Sequence, residues 1–106
     1  MADSIANTPR PPYYAVIFSN TLSENTEGYE ATAARMVELA QDAPGFLGIE
    51  SVREEMGVTV SYWRDLESIR AWKANLEHRE AQKQGREQWY ASFKVRIAKV
   101  ERDYAL

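Results

Sequence analysis

Residues 46–63 have the sequence FLGIESVREEMGVTVSYW, which contains two short runs rich in β-branched and aromatic residues. The first run is Phe46–Val52 and the second is Val58–Trp63. Between them lie only five residues, Arg53–Gly57, and the last of these is a glycine. Such runs form strands, and so short a connection favours antiparallel pairing. We therefore predict a β-hairpin at the centre of the chain.

The segment before the hairpin predicts a strand and then a helix. Tyr13–Phe18 is rich in aromatic and β-branched residues and follows two prolines, so we expect a first strand that ends near Asn20. Further on, apolar residues recur at the spacing of one helix face, and Pro44-Gly45 would end that helix. The residues of this face are Tyr29, Ala33, Met36, Ala40 and Ala43.

The segment after the hairpin predicts a second helix and a long last strand. Asp65 can cap the helix, and Asn75 can cap a separate turn that ends at Gly85, which would break the helix in two. The last strand is expected from Phe93 to Tyr104, with apolar residues of both parities. The apolar stripe of the helix consists of Leu66, Ile69, Trp72 and Leu76.

The predicted order β-α-β-β-α-β is that of an α+β, ferredoxin-like sandwich. In this fold a four-stranded antiparallel sheet carries both helices on one face. The first and last strands have apolar residues on both faces, so the helix-free face needs a cover. A second copy of the chain is the simplest cover, and we predict a homodimer.

Composition narrows the class of protein. With 106 residues the chain has room for one domain, which we place at 13–106 behind a flexible lead-in at 1–12. There is no cysteine, and the net charge of −3 provides no basic surface for nucleic acid. The apolar runs are too short to span a membrane, and residues 1–12 do not resemble a secretory signal. We expect a cytoplasmic protein that binds neither nucleic acid nor membrane.

Several segments resemble the antibiotic biosynthesis monooxygenase family. They are Pro44–Glu50, Val60–Trp63, Ile69–Lys73, Glu77-His78, Ala81-Gln82, Gly85-Arg86 and Trp89-Tyr90. The resemblance spans roughly Tyr13 to Tyr104. It implies a ferredoxin-like fold that dimerises sheet against sheet into an α+β barrel, with a small-molecule pocket between each sheet and its own helices. The family includes cofactor-free oxygenases, haem degraders and members with no assigned reaction.

Three residues are candidates for catalysis. By the resemblance, Asn20 stands where oxygenases of the family place an asparagine near the substrate, although asparagine is also a common strand-end residue. Trp72 matches a pocket tryptophan, and it also belongs to a core stripe. His78 is the single histidine, about 120° from Trp72 on an unbroken helix. The haem degraders' ligand histidine falls nearer Gln82, which argues against haem ligation at His78.

Four further residues are candidates for substrate binding. Tyr62 and Trp63 are adjacent in a strand, so their side chains are expected on opposite faces, one in a pocket and the other in the dimer barrel. Packing within the sheet is the simpler role for both. Arg86 and Tyr90 could hold a phenolate or carboxylate at a pocket mouth, or Arg86 could be a solvated charge.

The function predicted from these observations is that of a monooxygenase-like protein without flavin, metal or other cofactor. Its substrate would be a small electron-rich aromatic or polyketide-like molecule that reduces O₂ once deprotonated. A haem-binding or haem-degrading protein and a non-catalytic small-molecule-binding dimer are the alternatives. An RNA-recognition module shares the element order, but residues 58–63 lack its glycine and basic residues.

Overall fold

The structure, a computed structural model, describes residues 4–77 and 88–106. It confirms the predicted order of strands and helices. The elements are β1 (Tyr13–Leu22), α1 (Tyr29–Gln41), β2 (Phe46–Arg53), β3 (Met56–Trp63), α2 (Leu66–Glu77) and β4 (Tyr90–Val100). The strands lie in the order β2-β3-β1-β4, and all neighbouring pairs are antiparallel. This is the ferredoxin-like arrangement.

The predicted hairpin is present and is tighter than expected. Arg53 pairs with Gly57, so both residues belong to strands rather than to the connection. The N–H of Glu54 donates to the carbonyl of Met56 at 3.2 Å and closes the turn. The strands therefore extend past the apolar runs that predict them.

Both helices lie on the same face of the sheet. On that face, Trp63 of β3 packs against Trp72 of α2 with ring centroids 5.9 Å apart, and Arg53 of β2 donates to the Tyr29 hydroxyl of α1 at 3.1 Å. Trp63 has no exposed surface, and its indole N–H donates to Ser61 at 2.9 Å. This tryptophan is the centre of the core beneath the helices.

The start of α2 follows the sequence prediction, but its interior does not. The backbone N–H of Ser68 donates to Asp65 Oδ1 at 2.7 Å, which confirms the expected cap. The helix then continues through Asn75 to Glu77, so the break expected at Asn75 is absent. The turn predicted to end at Gly85 lies outside the described residues.

Residues from the N-terminal segment contact the helix-free face of the sheet. The N–H of Ala6 donates to Glu50 Oε2 at 2.9 Å, and the Thr8 hydroxyl donates to the Tyr13 hydroxyl at 2.9 Å. The Tyr13 hydroxyl in turn donates to Asp103 at 2.6 Å. Tyr13 and Ala15 are buried on this face.

Strand β4 presents an apolar strip on the helix-bearing side. Its register with β1 places Phe93, Val95 and Ile97 on that side, each about half exposed at 48%, 49% and 53%. Contacts of α1 and α2 with the sheet are made chiefly through β2 and β3, away from this edge. The strand ends at Val100 rather than at Tyr104, which is 95% exposed.

Candidate active site

A cavity of about 530 Å³ lies between the end of β1, the start of α1 and the end of β2. It is a cleft open to solvent, since four of its lining residues are exposed, and its volume is within the range of small-molecule sites. We call it the Arg53 cavity. It is lined by Leu22, Thr26, Gly28, Tyr29, Glu30, Ala31 and Arg53.

Arg53 connects this cavity to Asn20. Its Nη2 group donates to Asn20 Oδ1 and also to the Tyr29 hydroxyl at 3.1 Å. The guanidinium carbon also lies 5.5 Å from the centre of the Tyr29 ring, within the range of cation–π attraction. The arginine is thus held by an amide on one side and a phenol on the other.

Gly57 provides the space that the guanidinium occupies. It is buried and pairs with both Arg53 and Asn20, because β3 lies between β2 and β1. A β-carbon at position 57 would collide with the Arg53 guanidinium. The glycine therefore lets the arginine lie across β3 and reach the neighbouring strand.

Asn20, the first predicted catalytic residue, is buried beside the cavity. It is only 4% exposed and does not line the cavity, so Arg53 is the member of the pair that reaches the open space. Because Asn20 Oδ1 accepts from Arg53, the amide presents its NH₂ group as a donor. Arg53 is a functional candidate that the sequence reasoning missed, because the strand prediction ends at Val52. The glycine four residues after it was the available signal.

Aromatic rings support Tyr29 from behind. Its ring lies 5.8 Å from that of Trp89 and 5.9 Å from that of Tyr90, in edge-to-face arrangements. The Trp89 indole N–H donates to the carbonyl of Glu27 at 2.8 Å, which connects the residue before β4 to the loop before α1. Burial, followed by the neighbouring Tyr29, raises the pKa of Tyr90 above its ordinary value. Tyr90, a predicted substrate residue, therefore lies beside a lining residue of the cavity as a neutral phenol.

Trp72 lies elsewhere, in a smaller cleft of about 260 Å³ between α1 and α2. Leu39, Pro44 and Ser68 are among its other lining residues, and it shares none with the Arg53 cavity. The structure thus brings Asn20 and Tyr90 close to one cavity and Trp72 to another.

Tyr62 and Trp63 point to opposite faces of the sheet, as predicted. Trp63 is in the core under the helices, whereas Tyr62 lies on the helix-free face and donates to Glu50 Oε1 at 2.7 Å. Burial and this hydrogen bond to a carboxylate raise the pKa of Tyr62 well above its ordinary value. Neither side chain lines either of the two cavities described above.

His78 and Arg86 lie outside the described residues. Within residues 4–77 and 88–106, no group of three His, Cys, Asp or Glu side chains gathers where it could hold a metal ion. In the same part of the chain, no helix is long and apolar enough to cross a membrane.

Comparison with known proteins identifies the family. The family model for antibiotic biosynthesis monooxygenases matches residues 12–84. The uncharacterized protein YqjZ of Bacillus subtilis (strain 168) is 56% identical over 104 residues, which cover 96% of this chain and 91% of that protein.

Solved structures share the fold at low sequence identity. A variant of SnoaB, described as a cofactor-independent oxygenase from Streptomyces nogalater, matches with a TM-score of 0.73 at 16% identity, covering 86% of this chain and 95% of SnoaB. Protein PA3566 from Pseudomonas aeruginosa matches with a TM-score of 0.67 at 15% identity, covering 91% and 99% of the two chains. Both likenesses concern the fold, and the family follows from the sequence match. The chain belongs to the antibiotic biosynthesis monooxygenase family.

Proposed function

We propose that this protein is a monooxygenase that acts, without a flavin or metal cofactor, on a small electron-rich aromatic molecule bound in the Arg53 cavity. The observation that carries the proposal is the placement of Asn20. Of the two predicted catalytic residues that the structure describes, it is the one that adjoins this cavity, through its bond to Arg53. The fold shared with SnoaB, itself described as a cofactor-independent oxygenase, supports the same reaction class.

The chemistry requires the substrate to supply the electrons. For an anthrone, one oxygen atom of O₂ replaces the two hydrogens of the central CH₂ group and forms a carbonyl. The other oxygen atom leaves as water with those two hydrogens. The protein would hold the deprotonated substrate in place and stabilise its negative charge with fixed hydrogen-bond donors.

Asn20 contributes in this scheme through its amide. Its carbonyl oxygen holds Arg53, the member of the pair that lines the cavity, in place to donate to a substrate oxygen. The roles of Trp72, His78, Arg86 and Tyr90 stay predictions.

We further propose that the protein works as a cytoplasmic homodimer in which the helix-free faces of the two sheets meet. Apolar residues on this face support the interface, among them Val58, Val60 and the 64% exposed Val52. The absence of cysteine means that no disulfide requires an oxidising compartment.

The test is oxygen uptake with a panel of quinols and anthrones, with no flavin or metal added. We expect turnover by the wild type and a loss on the order of 10²-fold in Asn20→Ala, because releasing Arg53 removes one oxyanion contact. Asn7→Ala, at an exposed asparagine, is the matched control and should keep full activity. Absence of turnover across the panel would favour a non-catalytic ligand-binding dimer instead.

A further inference from the structure

We propose that the Arg53 cavity binds its aromatic ligand through a carboxylate, and that Arg53 is the specificity-determining residue that pairs with it. The inference rests on the proposed function only in taking the ligand of this cavity to be a small aromatic molecule.

The first argument is the charge of Arg53. Its side chain is half-buried, and the two groups that accept its hydrogen bonds, the Asn20 amide and the Tyr29 phenol, are both neutral. Across the described part of the chain, the ion pairs are Arg35 with Glu38 and Arg64 with Asp65, and Arg53 belongs to neither. A partly buried charge without a counter-charge is costly, and an anionic ligand would relieve that cost.

The second argument is geometry. Asn20 and Tyr29 hold the guanidinium by Nη2, and Gly57 supports it from below. Both hydrogen bonds use Nη2, so Nη1 can donate to a ligand. With both Nη2 hydrogens taken, the fixed guanidinium can donate a charge-assisted hydrogen bond from Nη1 to a carboxylate oxygen.

The third argument selects a carboxylate over other anions. A carboxylic acid is ionised at neutral pH, whereas a phenol with its ordinary pKa of about 10 is not. Glu30 also lines the cavity but is exposed and forms no ion pair with Arg53. Glu30 would repel a dianion such as phosphate, and Arg53 is the one cation among the described lining residues that could offset this repulsion. A ligand with a single negative charge therefore fits the lining better.

The test compares two probes of the same shape, a hydroxynaphthoate and the corresponding neutral hydroxynaphthamide. Isothermal titration calorimetry on the full chain measures the affinity of each. We expect the wild type to bind the carboxylate about tenfold more tightly, the size of one charge-assisted hydrogen bond. Arg53→Gln should abolish this preference but weaken the amide by no more than about twofold, because glutamine keeps a neutral hydrogen-bond donor. Arg53→Lys should retain part of the preference.

Glu30→Gln is the matched control, since it removes a charge of opposite sign from the same cavity. It should tighten carboxylate binding by about twofold, because an exposed charge is screened. Three results would overturn the inference: equal binding of both probes by the wild type, a preference that survives Arg53→Gln, or no saturable binding of the naphthoate. The second result, with both probes weakened alike, would make Arg53 structural only.

The binding and oxygen-uptake experiments separate the two proposals. If the protein binds the carboxylate selectively but shows no oxygen uptake with any substrate, the oxygenase proposal fails and the carboxylate site stands. Turnover of a neutral anthrone by a protein that shows no preference for the carboxylate would support the oxygenase and remove the carboxylate site.

Discussion

Arg53 on β2 donates a hydrogen bond to Asn20 on β1, although strand β3 lies between them. The contact exists because the residue of β3 that pairs with both of them is Gly57. A polar contact buried in this way depends on three strands at once. The strength of the Arg53–Asn20 hydrogen bond can therefore be tested by a substitution at Gly57, which takes no part in that bond.

Gly57→Ala should destabilise the protein by about 1–2 kcal/mol, because the new methyl group displaces the flexible end of Arg53 and breaks its hydrogen bonds to Asn20 and Tyr29. The same change should cost much less in an Arg53→Ala background, where the clash is absent. Urea denaturation of the wild type, both single variants and the double variant gives the coupling energy. We expect at least about 1 kcal/mol, and additive effects would contradict the described geometry.

Trp72→Phe should lower the free energy of unfolding by about 1–2 kcal/mol, because Trp72 packs on Trp63 between the helices and the sheet. It should leave ligand affinity in the Arg53 cavity unchanged, since Trp72 lines a separate cleft. Thermal melts and ligand titration on the same samples check both parts. A fall in affinity or turnover with the fold intact would instead give Trp72 the pocket role that the family resemblance implies.

Stability should fall as the pH rises above about 10. The pKa values of Tyr13, Tyr62 and Tyr90 are raised in the folded protein, so the unfolded chain loses these phenolic protons first. The stabilisation that these three tyrosines provide is complete below about pH 10 and is lost as the pH rises through their pKa values in the folded protein. Tyr90→Phe should make this decline shallower in urea denaturation between pH 9 and about 11.5. The same substitution at Tyr104, which is 95% exposed, is the control.

Ile17→Glu should convert the proposed dimer to a monomer, because Ile17 lies on the helix-free face and a charge there would be buried between the two sheets of that dimer. Light scattering at micromolar concentration measures the change. Leu66→Glu, on the exposed surface of α2, should remain dimeric. A wild-type monomer would refute the dimer, whose interface should bury more than about 1,500 Å².

Local patterns were sufficient to predict most of the fold. The β-branched and aromatic runs of the hairpin, the periodic face of α1 and the Asp65 cap are each set by neighbours within a few residues, and each is found in the structure. The expected break at Asn75 is absent because a residue able to cap a turn is also tolerated within a helix that packing supports.

The site was less accessible to sequence reasoning. Asn20 was found through the family resemblance, whereas Arg53 was overlooked because its importance comes from strand register. Register places Arg53, Gly57 and Asn20 in one row across three strands, and no stretch of sequence contains that row. Trp72 was noticed in the sequence, but its role could not be decided. The same helical spacing is expected for a core residue and for a residue that lines a pocket.

The pairing of Arg53 with Gly57 also provides a two-position marker for classifying related sequences. In a relative with a larger residue at the glycine position, the arginine could not cross β3 in the same way. Relatives with an arginine at the end of β2 and a glycine four positions later should form a carboxylate-selective group. Those lacking either residue should accept neutral ligands, which would divide the family by substrate from sequence alone.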